Sequence, residues 1–154
     1  MIDFEKLPIT SKKVLDKLKY IKVDKGIEAI KGKPTEAGYD LYTVEDTWIL
    51  PFTVKKVQLN IKLEIPEGKF GLITSRSGCS LKGIFVIPGV IDSSYRGQEA
   101  AIVTKIGLLP QKIKKGERIC QMLLLDYNYL ETVEVDHLSD SVRGEKGFGS
   151  SGTK

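Results

Sequence analysis

The sequence predicts an all-β single domain of sandwich, jelly-roll or barrel-like type, and three observations carry that expectation. Between Lys56 and Ile65, apolar Val57, Leu59, Ile61, Leu63 and Ile65 alternate with Lys56, Gln58, Asn60, Lys62 and Glu64. That period of two gives a strand one buried face. Further short β-branched runs follow, separated at short intervals by Gly78, Gly83, Pro88-Gly89, Gly97, Gly107, Pro110 and Lys115-Gly116, with no helical period between them. The 154 residues amount to one domain's worth of chain, enough for a hydrophobic core.

Taken in order, residues 1–19 are the least regular. Val14, Leu15 and Leu18 follow Thr10-Ser11 at spacings that suit a short amphipathic helix with a cap, expected to be an N-terminal extension. From residue 20 a β-domain is expected to run to residue 142, opening on Tyr20-Ile21-Lys22-Val23. After the strand over Lys56–Ile65, Pro66-Glu67-Gly68 reads as a turn. Trp48–Leu50, Phe70–Thr74, Ile84–Val86, Ala100–Lys105, Arg118–Asp126 and Glu131–Val135 are the other expected strands. Residues 144–154 hold four of the fifteen glycines, and Phe148 is the sole core-forming side chain there. Such a segment lacks the apolar surface to order itself, so it reads either as a frayed terminus or as an arm that docks through Phe148.

Composition excludes several classes. The chain is 41% apolar and 29% charged, ordinary for a globular protein, and no apolar run approaches the roughly 18 residues of a membrane span. The start, Met1-Ile2-Asp3-Phe4-Glu5-Lys6, is not a basic-then-apolar leader, which leaves a cytoplasmic or other intracellular location, the nucleus included, as the expectation. Lys and Arg exceed Asp and Glu by 24 − 20 = 4. That excess helps to attract a small polyanion without indicating nucleic acid. Cys79 and Cys120 form no Cys-x-x-Cys pair, so they are expected as buried free thiols.

The stretch that organises the chain is Gly89-Val90-Ile91-Asp92-Ser93-Ser94-Tyr95-Arg96-Gly97. Strand, tight turn and returning strand are expected to hold Asp92 and Tyr95 on one hairpin. Anionic, stacking and cationic groups crowd into five residues there, which suits a small polar ligand with a flat ring. Asp, Gly and Ser also occur in hairpins for turn reasons alone, and this stretch by itself does not decide between the two.

Four more segments stand apart: Ala37-Gly38-Tyr39-Asp40-Leu41-Tyr42, Ser75-Arg76-Ser77-Gly78, Gly116-Glu117-Arg118-Ile119-Cys120-Gln121-Met122, and the run Arg143 to Gly152. Their order and spacing, with the Asp92 stretch third, closely resemble the five motifs of the trimeric dUTPases. The match covers Ala37 to Gly152, three quarters of the chain. The resemblance implies a distorted β jelly roll, a homotrimer with active sites between subunits, and a swapped C-terminal arm over residues 143–154 that closes on bound nucleotide. It implies Mg²⁺-assisted hydrolysis of dUTP to dUMP and pyrophosphate, which clears dUTP from the nucleotide pool and supplies dUMP for thymidylate synthesis. It implies neither a nucleic-acid nor a membrane partner.

Residue by residue, Asp92 matches the aspartate that holds the attacking water and the sugar 3′-hydroxyl. An ordinary carboxylate is too weak a base to make free hydroxide, by roughly 12 pKa units. Asp92 is therefore expected to orient the water and accept its proton as the bond to the α-phosphorus forms. Tyr95 matches the ring that packs under deoxyribose and leaves no room for a 2′-hydroxyl. Backbone groups of the hairpin, with Gly89 and Ile91 among the expected contacts, read the uracil edge. Arg76, Ser77, Gly78 and Gln121 match donors to phosphate oxygens, a task suited to the arginine fork and to glycine's close approach. Arg143, Ser150 and Ser151 match arm residues on the distal phosphates, and Phe148, with Gly149 beside it, matches the ring that stacks on uracil. Stacking on a base contributes about 1–3 kcal/mol, enough to help close the arm but not to order it unaided. Asp40 matches the aspartate associated through water with magnesium, an ion held mainly by the substrate phosphates; it also reads as a turn or interface acceptor. Arg118 and His137 are left outside the site as strand-surface or interface residues.

The chain departs from the family pattern at a few places. Ser75 stands where many relatives have proline, Cys79 replaces a usual leucine, Ser94 occupies an often acidic position, Ser151 replaces threonine, and Pro88 precedes Gly89. The nearest rival within the fold is a dCTP deaminase, which needs a glutamate about ten residues after the hairpin aspartate. Ile102 stands there, and an aliphatic side chain relays no protons. A catalytically silent nucleotide-sensing or interaction protein is the alternative from another class.

Overall fold

The computed structural model describes residues 17–142 together with Gly144 and Glu145. The helix expected near residues 11–18 falls mostly outside them, as do Arg143, Phe148, Gly149, Ser150 and Ser151. The described residues are all-β apart from one helical turn, in a sandwich of jelly-roll type. The strands are β1 (Lys19–Lys22), β2 (Ile30–Lys31), β3 (Gly38–Tyr42), β4 (Thr47–Ile49), β5 (Val54–Glu64) and β6 (Lys69–Ser75). After the turn α1 (Ser77–Ser80) come β7 (Ile84–Ile87), β8 (Gly89–Ile91), β9 (Gln98–Lys105), β10 (Gln111–Ile113) and β11 (Arg118–Asp126). No helix among these residues is long and apolar enough to cross a membrane.

One sheet runs β1-β5-β9-β7, a second runs β2-β3-β11-β6-β8, and β10 pairs with β4. The pairings are antiparallel. Alternation on β5 buries Val57, Leu59, Ile61 and Leu63 against Leu41, Ile73, Val86, Val103 and Met122 from both sheets. The polar exception is Asn60, also fully buried. Its amide donates to the carbonyls of Asp24, Ile27 and Glu28 at 2.9, 3.1 and 3.3 Å, and its Oδ1 accepts from the Asp24 N–H at 2.5 Å. A buried amide with four partners ties the β1–β2 loop to the core.

The fold corrects the sequence reading at three points. β2, β3 and β10 were not anticipated: two are only two or three residues long, and β3 carries Gly38 and Asp40, poor strand formers, held between β2 and β11. Glu131–Val135 is not a strand; Val133 and Val135 are 73% and 56% exposed, and the segment meets no strand partner among the described residues. Finally, the Asp92 stretch is no hairpin, because β8 pairs with β6 whereas β9 pairs with β5 and β7. Asp92 to Gly97 instead crosses from one sheet to the other.

Candidate active site

Two clusters account for the described site residues. The first lies where β3, β11 and β6 run side by side, with Asp40 opposite Gln121 and Ser75 opposite Cys120. Arg76, just past β6, donates from Nε to Asp40 Oδ1 at 2.6 Å and from Nη1 to the Arg118 carbonyl at 2.9 Å. Arg118 donates from Nη1 to Asp40 Oδ2 at 2.8 Å. A carboxylate gripped by two guanidiniums is a charge-assisted network with one cation in excess. Gln121 lies across Gly38, where a Cβ would meet its Oε1 at 2.5 Å, and donates from Nε2 to the Ser75 carbonyl at 2.9 Å. Gly38, Asp40, Arg76 and Gln121, with Glu36, Ser77 and Gly78, line a polar cavity of about 510 Å³.

Arg118, left out of the site by sequence, joins the Asp40 network because of a bulge. The β3–β11 register shifts between Arg118 and Cys120, so Ile119 and Cys120 are both buried. Strict alternation would put residues 118 and 121 on opposite faces of the strand. The extra residue brings both to Asp40, the re-aiming that bulges perform. The same network bears on how a metal could be held. Both oxygens of Asp40 accept from arginines, and among the described residues no three His, Cys, Asp or Glu side chains form a cluster able to hold a metal ion. A dication at Asp40 would face two guanidiniums, so these residues do not fit a protein-held magnesium.

The second cluster is the Asp92 turn. The Tyr95 N–H donates to the Asp92 carbonyl at 3.1 Å, closing a four-residue turn. The Tyr95 hydroxyl donates to the Gln98 carbonyl at 3.2 Å, and its ring covers Gly97, where a Cβ would come within 2.2 Å of the phenol oxygen. Arg96 Nη1 donates to the carbonyls of Ser93 and Tyr95 at 2.5 and 2.8 Å, and Gln98 Nε2 donates to the Leu59 carbonyl at 2.9 Å. The turn is thus braced on itself and on β5. A cavity of about 390 Å³ opens beside Asp92, lined by Phe70, Val90, Ser93, Ser94 and Tyr127. The Phe70 and Tyr127 rings meet edge to face, with centroids 6.3 Å apart. Ile91 turns its side chain into the core at 6% exposure, so only its main chain faces outward. A Cβ at Gly78 or Gly89 would meet nothing within 4 Å; neighbouring chain does not explain either glycine.

One chain does not bring the clusters together. In the β6–β8 register, Gly71 lies opposite Ile91, which puts Asp92 beyond the strand end near Phe70. Arg76 lies six residues further along the same strand line, roughly 20 Å away at about 3.3 Å per residue. Cys79 and Cys120 are free, the first half-buried and the second buried. Burial raises both thiols above their ordinary range, which makes them poor nucleophiles.

Comparison with known proteins fits this geometry. The dUTPase family model matches residues 25–152. The chain belongs to the dUTPase family. The deoxyuridine 5′-triphosphate nucleotidohydrolase of Variola virus is 39% identical over 121 residues, 79% of this chain and 82% of the viral protein. Among solved structures, the Staphylococcus bacteriophage 80alpha dUTPase with dUpNHpp superposes with a TM-score of 0.80 at 30% identity, covering 89% of this chain and 99% of the phage chain. A mutant dUTPase from phage phi11 of S. aureus, described with a structural Mg(II) ion, shares the fold with a TM-score of 0.72 at 22% identity, over 79% of this chain and 98% of that chain.

Proposed function

We propose that this dUTPase-family chain hydrolyses dUTP to dUMP and pyrophosphate, at sites completed between subunits of a homotrimer. The observation that carries the reading is the separation along β6. The turn that carries the water-aiming carboxylate and the guanidinium that would meet the phosphates lie at opposite ends of β6, roughly 20 Å apart. A single triphosphate cannot bridge that span, so Asp92 of one copy must meet Arg76, Ser77 and Gln121 of another. Glu131–Val135, which leaves the apolar side chains of Val133 and Val135 exposed and in no strand among the described residues, supports such an assembly, because exposed apolar side chains favour burial against a neighbouring chain.

Within the completed site each group has a role. Asp92 orients the water and takes its proton as the bond to the α-phosphorus forms. Tyr95, held over Gly97, presents a fixed wall to the sugar, and backbone groups of Gly89 and Ile91 face the base. Arg76, Ser77, Gly78 and Gln121 receive the phosphates, with negative charge stabilised by the excess cation of the Asp40 network. Magnesium enters as the counter-ion of the substrate, dUTP being taken as its magnesium complex. The arm over residues 143–154, through Arg143, Gly149, Ser150 and Ser151 with Phe148 on the base, covers the nucleotide.

Pyrophosphate release from dUTP, dCTP, dTTP and UTP at equal concentration tests the reading. The expected result is turnover of dUTP alone; equal turnover of dTTP or UTP removes the pocket assignment, and ammonia from dCTP favours a deaminase. Light scattering should give a mass of three chains, and a monomer that hydrolyses dUTP at full rate removes the shared site.

A further inference from the structure

The hydroxyl of Ser75 stands outside every role given above, yet it joins the two sheets. Among the described residues β7 is an edge of its sheet, paired only with β9. Where a further strand would lie, the Val86 N–H donates to Ser75 Oγ at 2.8 Å, and Ser75 Oγ lies 3.3 Å from the Val86 carbonyl, to which it donates. Val86 is 4% exposed, so one side chain from the other sheet satisfies both main-chain groups of a buried residue. The Ser75 carbonyl receives the Gln121 amide, and the next residue is Arg76, whose guanidinium spans Asp40 and the Arg118 carbonyl.

We propose that Ser75 is a positioning residue for the triphosphate. Its hydroxyl latches the end of β6 to the edge of β7 and thereby fixes the corner from which Arg76, Ser77 and the Gln121 amide face the phosphates. This rests on the functional reading above as regards dUTP, while the latch itself concerns any chain of linked phosphates. Breaking it removes the hydroxyl's two bonds to Val86 and loosens several phosphate donors together, leaving the Asp92 turn, at the far end of β6, where it was.

Calorimetric binding of inorganic triphosphate and of dUMP to the full chain, to Ser75→Ala and to Ser75→Thr tests the proposal. For Ser75→Ala, measured below its melting temperature, triphosphate binding should weaken about tenfold, the scale of one weakened phosphate contact. dUMP, which lacks the β- and γ-phosphates, should bind within twofold of the unsubstituted protein. Ser75→Thr keeps the hydroxyl and should restore triphosphate binding. Triphosphate affinity unchanged in Ser75→Ala, or triphosphate and dUMP affinities falling together, would overturn the latch. Pyrophosphate release from dUTP, followed on the same samples, fails separately: an unsubstituted protein that binds triphosphate but spares dUTP removes the functional reading and leaves the latch standing.

Discussion

Glu99 is a carboxyl that the sandwich holds without compensation. It sits on the inward face of β9 with Ala101 and Val103, only 4% exposed, and its Oε1 has no hydrogen-bond partner. Loss of water around the charged form raises its pKa from an ordinary 4.5 to about 7. The native state therefore keeps a proton over a range in which the unfolded chain has released it. Stability from this group is fully present below about pH 4.5 and is lost as pH rises through about 7. The gap is about 2.5 pH units, or about 3 kcal/mol at 1.36 kcal/mol per unit. Glu99→Gln removes the titration while keeping the shape. Urea unfolding at one fixed protein concentration, from pH 5 to pH 8, should show the unsubstituted protein losing about 2–3 kcal/mol relative to the glutamine variant. Asp24, Asp46 and Glu64 do not confuse the window. Partners Lys115 for Asp24, the Lys115 N–H and Lys112 for Asp46, and Lys19 for Glu64 lower their pKa values, so their contribution is lost only as pH falls below it. Parallel stability curves for the two proteins would refute the assignment of a neutral, buried Glu99.

Three further outcomes follow from the geometry. Asp92→Asn should lower kcat for dUTP by about 10²–10⁴-fold, the usual contribution of a positioned base, and an undiminished rate of pyrophosphate release would remove Asp92 from the chemistry. Arg76→Lys keeps the charge but cannot reach both Asp40 and the Arg118 carbonyl; kcat/KM should fall by about 10–100-fold, equivalent to about 1.4–2.7 kcal/mol, with little change in melting temperature. Asn60→Ala strips four hydrogen bonds from a fully buried position and should cost about 2–4 kcal/mol by chemical denaturation; a loss below about 0.5 kcal/mol would mean that the β1–β2 loop is held by something else.

Local chemistry wrote much of this molecule in advance. The alternation over Lys56–Ile65 set β5 and its buried face, because side-chain direction along a strand depends only on position. The order of the motif residues set the family, and the glycines at 78 and 89 had no packing reason to be there. What the sequence could not decide were relations between segments distant along the chain. Whether β9 returns beside β8 or crosses to the other sheet depends on which core face must be covered, and Asp92 lies on a crossing rather than a hairpin for that reason. Arg118 joins Gln121 at Asp40 because a bulge breaks the alternation that a reader of sequence must assume. Ser75 bonds to Val86, and Glu99 is largely removed from water, because sheets packed from far-apart residues close over them. Glu131–Val135 marks the same boundary from the other side: its pattern is that of a strand, but a strand is a relation between two segments, and the described residues supply only one.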